Sequence, residues 1–189
     1  MQEDPEITPS QVDPDPITPD TKDWTWVLEQ PCLECGFDSR SVAGPEIGDR
    51  VRANTAVWQQ ELGRPDVATR PAPGVWSPLE YACHVVDVHR VFEARAARML
   101  AEDDPLFENW DQDATAVAGR YADQAPATVA GELSAAAAAS AARFDAVSGS
   151  GWARTGRRSD GAVFTVESLG RYFVHDWTHH LRDVGAAAP

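Results

Sequence analysis

The sequence predicts an all-α protein, a four-helix bundle preceded by a disordered acidic tail, and three observations lead to this fold class. The chain has 189 residues, of which 43% are hydrophobic, and this is enough for one well-buried core. Four segments repeat their apolar residues at the spacing of one helical face. The stretches between these segments show no sustained alternation typical of strands. Amphipathic helices without strands bury their apolar faces against one another.

The first 43 residues divide into two parts of different composition. Residues 1–22 are rich in proline and acidic side chains and hold few apolar groups, so they cannot bury enough surface to stay ordered. In residues 23–43, Trp24 and Trp26 alternate with smaller residues, which predicts a short extended segment that docks on the domain. The helical domain then occupies residues 44–189.

The first two helices are predicted within residues 44–63 and 76–100. The first carries an apolar face and stops at a glycine. The second has the strongest start signal in the chain, because Ser77 is a favourable N-cap and Pro78 suits the first helical position. Glu80, three residues after the serine, completes a capping box.

The second half of the chain supplies the other two helices. Residues 101–125 form an acidic linker, and the third, alanine-rich helix runs from about 126 to 147. A glycine- and arginine-rich loop follows at 148–164, with a hairpin turn expected at 159–161. The fourth helix is predicted over residues 165–184.

Charge and composition exclude several classes of function. A formal net charge of −14 repels nucleic acid and anionic lipid, so we expect no nucleic-acid partner. We also expect no membrane association, since no apolar run approaches the roughly 20 residues of a membrane span. The N-terminus lacks a secretory signal, and three cysteines are too few for a disulfide framework. The expected location is the cytoplasm.

Three of the five histidines lie close together near the C-terminus. His175 and His179 are four residues apart, so on a helix they share one face and can bind one divalent ion. His84 on the second helix is the obvious source of a third ligand. Glu80 and Asp87 lie within one turn of it and could orient its second ring nitrogen as outer-sphere carboxylates.

Two other interpretations of the last helix stay open. A histidine pair at this spacing is often only a solvated face. Asp176 and His180 form a rival pair, also four residues apart and also competent as ligands. The apolar seam of the helix runs through His180, which suggests a partly buried, hydrogen-bonded packing residue. His89 is expected to be a lone histidine on a helix surface or interface.

Cys32 and Cys35 form a Cys-x-x-Cys motif with three interpretations. The spacing suits a redox dithiol, because it can lower the pKa of a cysteine. It is also half of a structural zinc site, although no second Cys-x-x-Cys or His-x-x-His pair follows. The third interpretation is a tight turn with two small residues beneath the neighbouring tryptophans.

Arg154, Arg157 and Arg158 form a basic cluster in an acidic protein. They are candidates to receive an anionic group of a substrate. Pairing with the surplus carboxylates of the protein itself is an equally good interpretation.

The segments "WSPLEYACHVVDV" and "FVHDWTHHLRDV" together resemble the DinB-like superfamily of four-helix proteins. In that family the second helix carries one histidine and the last helix carries a His-x-x-x-His pair. The resemblance covers residues 45–184. It implies a divalent metal, zinc or nickel, held by three histidines, and position by position these are His84, His175 and His179.

The resemblance also implies an activity. Similar members include thiol-dependent transferases and isomerases that use low-molecular-weight thiols such as mycothiol. We therefore expect a thiol co-substrate and a small electrophilic substrate. The alternatives are a non-catalytic metal-binding or stress-response protein of the same fold, or a dithiol redox role for Cys32 and Cys35. A homodimer is compatible with the resemblance, since such bundles often pair through helix faces.

Overall fold

A computed structural model of the chain describes residues 17–189, and these residues form the predicted bundle. The helices are α1 (Ile47–Glu61), α2 (Pro78–Ala101), α3 (Gln112–Ala118), α4 (Pro126–Asp145) and α5 (Val166–Asp183). The four predicted helices are confirmed as α1, α2, α4 and α5. None of the helices within the described range is both long and apolar enough to cross a membrane.

The bundle alternates its helices around the core, because α1 and α2 each pack against both α4 and α5. The alanine-rich helix α4 lies between α1 and α2, with Ala137 and Ala141 buried. Small side chains allow the helix axes to approach closely here. The aromatic core centres on Phe173 of α5, whose ring centroid lies 5.2 Å from that of Phe92 and 5.8 Å from that of Phe144.

Helix α2 begins as its start signal predicts. The Ser77 hydroxyl accepts a hydrogen bond from the Glu80 backbone at 3.3 Å, and the Glu80 carboxylate accepts one from the Ser77 backbone at 2.8 Å. The same carboxylate accepts two bonds from the guanidinium of Arg70. This capping box fixes the first turn of α2 and so the position of His84 one turn later.

The predicted turn at 159–161 joins two antiparallel strands, β2 (Thr155–Arg158) and β3 (Val163–Thr165). A third strand, β1 (Leu106–Phe107), pairs in parallel with β2. Both β1 and α3 lie in the stretch expected to be an acidic linker. They were missed because two residues of strand and seven of helix are too short to show a period.

The described part of the predicted tail is docked on the domain. Residues 1–16 lie outside the described residues. The backbone N–H of Thr18 donates to the carbonyl of Gly74 at 3.0 Å, and the ammonium of Lys22 lies 2.7 Å from the Glu34 carboxylate. Residues 17–22 therefore belong to the folded surface rather than to a tail.

The next segment docks as predicted but not in the predicted conformation. Thr25–Leu28 form a 3-10 turn in place of an extended stretch. Val27 and Val42 are fully buried, so both ends of the segment are anchored in the core. The alternating tryptophans belong to a tight helical turn and not to a pleated strand. The rings of Trp24 and Trp26 stack there with their centroids 5.9 Å apart.

Candidate metal centre

Helix α5 presents two pairs of potential ligands on adjacent faces, because successive residues are rotated by about 100°. His175 and His179 face the docked N-terminal segment, where their ring centroids lie 5.6 Å and 4.8 Å from that of Trp24. His180 instead faces α2, with its ring 5.1 Å from Tyr81. The rotation by one residue therefore directs the two pairs to different neighbours.

His84, Asp176 and His180 form the first group, called here the His84 cluster. One ligand atom from each lies within 4.8 Å of the other two. His84 Nε2 is 3.7 Å from Asp176 Oδ1, and His180 Nε2 is 3.8 Å from the same oxygen. Both distances are too long for hydrogen bonds. They leave room for an ion between the three side chains.

The buried polar atoms of this cluster show that it fits a metal ion. Within the described part of the chain, both ring nitrogens of His84 and Oδ1 of Asp176 are buried without a hydrogen-bond partner. A buried polar atom left unpaired costs about 1–3 kcal/mol. Two imidazoles and one carboxylate are also the donor set of many catalytic zinc sites. An ion bound here would satisfy Nε2 of His84 and Oδ1 of Asp176.

A hydrogen bond to Asp183 orients His180. Its Nδ1 lies 2.9 Å from Asp183 Oδ2, which leaves Nε2 directed at Asp176. Burial lowers the pKa of His180, but the hydrogen bond to Asp183 and the charges of Asp176 and Asp183 outweigh it, so the pKa lies above its ordinary value. A carboxylate behind a metal-binding histidine is a common arrangement that fixes the tautomer.

The other two members are held in the protonation states that a ligand needs. Burial lowers the pKa of His84, so its ring is neutral at pH 7. Burial raises the pKa of Asp176, but the imidazoles of His84 and His180 outweigh this and keep it below its usual range. The cluster thus combines a neutral imidazole with an ionised carboxylate.

Two tryptophans enclose His84, and one of them could not be predicted from the sequence. The ring of Trp110 stacks on His84 at 5.3 Å with an angle of 9° between the planes, and Trp76 lies at the same centroid distance on a tilted plane. Trp76 immediately precedes the cap of α2. Trp110 comes from the predicted linker, where only the tertiary fold brings it to the site.

Two cavities meet at Asp176. The first, of about 480 Å³, lies between the docked N-terminal segment, the start of α2 and α5. The second, of about 430 Å³, lies towards the β2–β3 hairpin. Asp176, Asp113 and Tyr172 line both. The carboxylate of the His84 cluster is therefore accessible to a small molecule from two sides.

The predicted ligand set His84, His175 and His179 is divided by the structure. His84 lies with the rival pair Asp176 and His180. His175 and His179 lie instead with the two cysteines of the Cys-x-x-Cys motif. The physical reason is the register of α5, since the sequence shows the spacing of a pair but not which neighbour it faces. The second group, called here the cysteine cluster, is Cys32, Cys35, His175 and His179.

The predicted outer-sphere carboxylates have other partners. Glu80 is bound to Arg70 and to the cap of α2. Asp87 accepts hydrogen bonds from the hydroxyl of Tyr121 at 2.5 Å and from Arg90 at 3.0 Å. Neither carboxylate bonds to a ring nitrogen of His84, and Asp183, which the sequence did not suggest, orients His180 instead.

The three arginines are separated by the hairpin. Arg154 donates to the backbone carbonyl of Met99 at 2.6 Å, and Arg157 pairs with Asp104 at 2.9 Å. Arg158 pairs with Asp160 at 2.7 Å and lines the second cavity. Only Arg158 of this set is therefore placed to meet a molecule that reaches Asp176.

His89 is buried at a helix interface, which is the second of the two positions expected for it. It is 1% exposed, and its Nδ1 lies 2.8 Å from the hydroxyl of Ser140 on α4. Its ring packs edge-on against Phe173 at 5.0 Å. It is a packing residue between α2, α4 and α5.

Comparisons with known proteins agree with this architecture. No curated protein matched the sequence. Among solved structures, YfiT from Bacillus subtilis, described as a probable metal-dependent hydrolase with an unusual four-helix bundle topology, superimposes with a TM-score of 0.66. It is 19% identical, and the match covers 78% of this chain and 92% of YfiT.

The sequence profile of the DinB superfamily matches residues 48–184, which include α1 apart from its first residue, α2 to α5 and every member of the His84 cluster. The resemblance inferred from the two histidine-bearing helices is thereby confirmed. The chain belongs to the DinB superfamily.

Proposed function

We propose that this protein is a metal-dependent enzyme whose ion is held by His84, Asp176 and His180. The observation that supports this most directly is the set of buried ligand atoms without partners among the described residues, at His84 Nε2 and Asp176 Oδ1. Asp176 and His180 of this cluster line a cavity of about 480 Å³, the size of a small-molecule site. Three protein ligands leave open positions for a reacting group.

The reaction that we propose is the addition of a low-molecular-weight thiol to a small electrophile. A divalent ion at the site supplies Lewis acidity and lowers the pKa of a coordinated thiol or water. The residues of the chain position the reactants and exclude water, with Trp76 and Trp110 shielding His84. Arg158, on the second cavity, is the candidate contact for an anionic group of the substrate.

Asp113 is the candidate proton acceptor for this reaction. It lines both cavities, and burial together with the charge of Asp111 raises its pKa above the usual range. A carboxylate with a raised pKa at a cavity wall suits general acid–base catalysis. We expect Asp113→Asn to lower kcat while leaving the metal content unchanged.

Hydrolysis is the second candidate, supported by the structural likeness to YfiT. The same three ligands could activate water in place of a thiol. The two candidates differ only in the nucleophile, which is a thiol in the first and water in the second. Assays of one preparation with and without thiol therefore distinguish them.

The experiment begins with the metal content of the purified protein and of His84→Ala, Asp176→Ala and His180→Ala. We expect each substitution to remove one equivalent of metal. The wild type is then assayed against electrophiles with and without a low-molecular-weight thiol, and against ester and amide substrates. Metal-dependent loss of thiol supports the first candidate, and turnover without thiol supports hydrolysis. A protein that keeps its metal in all three variants would contradict the proposed site.

A further inference from the structure

We propose that the cysteine cluster is a second metal site, in which Cys32, Cys35, His175 and His179 hold a structural Zn²⁺ ion. The site is distinct from the His84 cluster and shares no ligand with it. It would fasten the docked N-terminal segment to helix α5.

The spacing of the donor atoms suits a tetrahedral ion. One ligand atom from each of the four residues lies within 4.8 Å of all the others. With Zn–S near 2.3 Å and Zn–N near 2.0–2.1 Å, neighbouring sulfur and nitrogen ligands of a tetrahedral site are about 3.6 Å apart. Cys32 Sγ and His179 Nδ1 are separated by 3.6 Å.

The backbone of the Cys-x-x-Cys motif is folded as a tight turn that brings both sulfurs to the same side. The Cys32 N–H donates to the carbonyl of Phe37 at 2.9 Å, and the Gly36 N–H donates to the carbonyl of Cys32 at 2.8 Å. Gly36 has φ +76°, a conformation that a side chain would strain. Leu33, between the cysteines, points outwards and is 86% exposed.

The surroundings of the histidines are those of bound ligands. His175 and His179 are 2% and 5% exposed. Within residues 17–189, Nε2 of His175 is buried without a hydrogen-bond partner. On His179, Nδ1 faces the sulfur of Cys32, and Nε2 lies 3.8 Å from carboxylate oxygens of both Glu34 and Asp183. A carboxylate behind the ring of a coordinating histidine is the usual outer-sphere arrangement.

The donor set points to a structural rather than a catalytic ion. Two thiolates and two imidazoles complete four-coordinate zinc and leave no open position. On binding, the two thiols lose their protons to solvent and the sulfurs bond to the ion, with no change of oxidation state.

A redox role fits the same cysteines less well. A reactive dithiol needs a thiolate at neutral pH, which requires a lowered pKa. Burial raises the pKa of Cys35 instead. The Cys32 thiol is also 1% exposed and lies 3.6 Å from Nδ1 of His179. This environment favours metal binding over exchange with an external thiol.

The site would set the shape of the first cavity. Trp24, Glu34, His175 and His179 all line that cavity, as do Asp176 and His180 of the His84 cluster. An ion between the motif and α5 would therefore fix the cavity wall opposite α2. The two sites can still be tested separately, because each depends on its own ligands.

The test is Zn²⁺ and Co²⁺ binding by the full chain. We expect two equivalents of zinc per chain and, after cobalt substitution, an absorption band from charge transfer between thiolate and cobalt. Cys35→Ser should weaken the band about twofold, and the double variant Cys32→Ser/Cys35→Ser should abolish it and remove one equivalent. Cys83→Ala is the matched control, because this third cysteine lies on α2 outside both clusters, and it should leave the band intact.

The histidines separate this proposal from the proposed function. His175→Ala should perturb the thiolate–cobalt band, whereas His180→Ala should remove one equivalent and leave the band in place. Loss of one equivalent in His180→Ala with no thiolate band in any preparation would overturn the second site alone.

A measurement on the wild type guards against variants that fail to fold. Zinc should protect two of the three thiols from a thiol reagent by at least tenfold, and a chelator should reverse this. Equal reaction rates with and without zinc, or a disulfide between Cys32 and Cys35 together with no metal uptake, would overturn the proposal.

Discussion

Asp183 lies between the two clusters of helix α5. Its Oδ2 is 2.9 Å from Nδ1 of His180 and 3.8 Å from Nε2 of His179. Burial raises the pKa of Asp183, but the neighbouring histidines outweigh it and keep the pKa low, so the group is ionised at neutral pH. This carboxylate therefore orients His180 by a hydrogen bond and lies beside His179 at a longer distance.

We expect Asp183→Asn to weaken metal binding by the His84 cluster by about 10- to 100-fold, the usual effect of losing an outer-sphere carboxylate. The amide keeps the shape of the side chain but loses its charge. Affinity is measured by chelator competition in a Cys32→Ser/Cys35→Ser background, which removes the second site and isolates this cluster. The exposed Asp103→Asn is the control and should bind as the parent does. Equal affinity in Asp183→Asn would show that His180 needs no carboxylate behind it.

His89 makes stability depend on pH. Burial lowers its pKa to about 3, whereas the unfolded chain has a value near 6.5. Between these values the unfolded state binds the extra proton, so the free energy of unfolding falls as the pH falls below about 6.5. At its steepest the contribution is about 1.4 kcal/mol per pH unit.

We expect His89→Gln to flatten this dependence. The measurement is urea unfolding from pH 4 to pH 7. The change of the free energy of unfolding with pH is compared between the parent and the variant, and the absolute free energies are not. The free energy of unfolding should depend more steeply on pH in the parent than in the variant, and the difference should correspond to uptake of up to one proton on unfolding. Parallel curves would mean that His89 is as easily protonated in the folded protein as in the unfolded chain.

At the scale of elements, the close approach of α5 to α1 and α4 depends on Gly170. A Cβ atom at this position would lie 2.2 Å from Cδ1 of Ile47 and 3.0 Å from the ring of Phe144. Since both neighbours are buried, their side chains or the helices would have to shift.

We therefore expect Gly170→Ala to destabilise the protein by about 1–3 kcal/mol, the typical effect of overpacking. Gly131→Ala in α4 is the matched control, because its Cβ would meet nothing within 4 Å among the described residues. It should stabilise by roughly 0.5–1 kcal/mol through helix propensity. Denaturant unfolding of both variants gives the comparison. An equal change in the free energy of unfolding for the two variants would contradict tight packing at Gly170.

The start of α2 and the existence of α5 could be predicted because their signals are local. Ser77 and Glu80 are three residues apart, and the ligand spacing on α5 spans four. The partner of each pair could not be predicted in this way. Both His175/His179 and Asp176/His180 have the right spacing, and the choice of partner for His84 depends on how α5 is rotated against α2. That rotation is set by packing around Phe173 and Trp177; the apolar seam placed His180 on the packed face but did not identify its partner on α2.

The contribution of residues 17–43 to the site is a second feature that local patterns could not supply. Trp24 and Cys32 reach α5 only in the folded chain. The 3-10 turns in this segment are too short to show a repeating pattern of apolar residues. The Cys-x-x-Cys motif itself was recognisable, but its completing histidines appear more than a hundred residues later, at a spacing outside the usual zinc-binding patterns.

At the scale of the whole molecule, metal should raise stability, since an ion that binds only the folded state shifts the equilibrium towards it. At a free zinc concentration 100 times the dissociation constant, one site contributes about 2.7 kcal/mol. For a chain of this size the Tm should rise by roughly 5–10 °C.

Differential scanning calorimetry with zinc, with magnesium and with a chelator measures this effect. Magnesium should have little effect, because it prefers oxygen ligands. A Tm that is the same under all three conditions would contradict both metal sites.

The contact between Cys32 and His179 has a further consequence for the unfolded chain. The two residues are separated by 147 positions, so a bond through zinc would close a loop that contains α1 to α4 and most of α5. By analogy with a disulfide, closing a loop of this length removes conformational entropy from the unfolded chain worth about 5 kcal/mol. Unlike a disulfide, such a crosslink forms in a reducing environment and opens when zinc is withdrawn. The supply of metal would then control how easily the chain unfolds and is degraded.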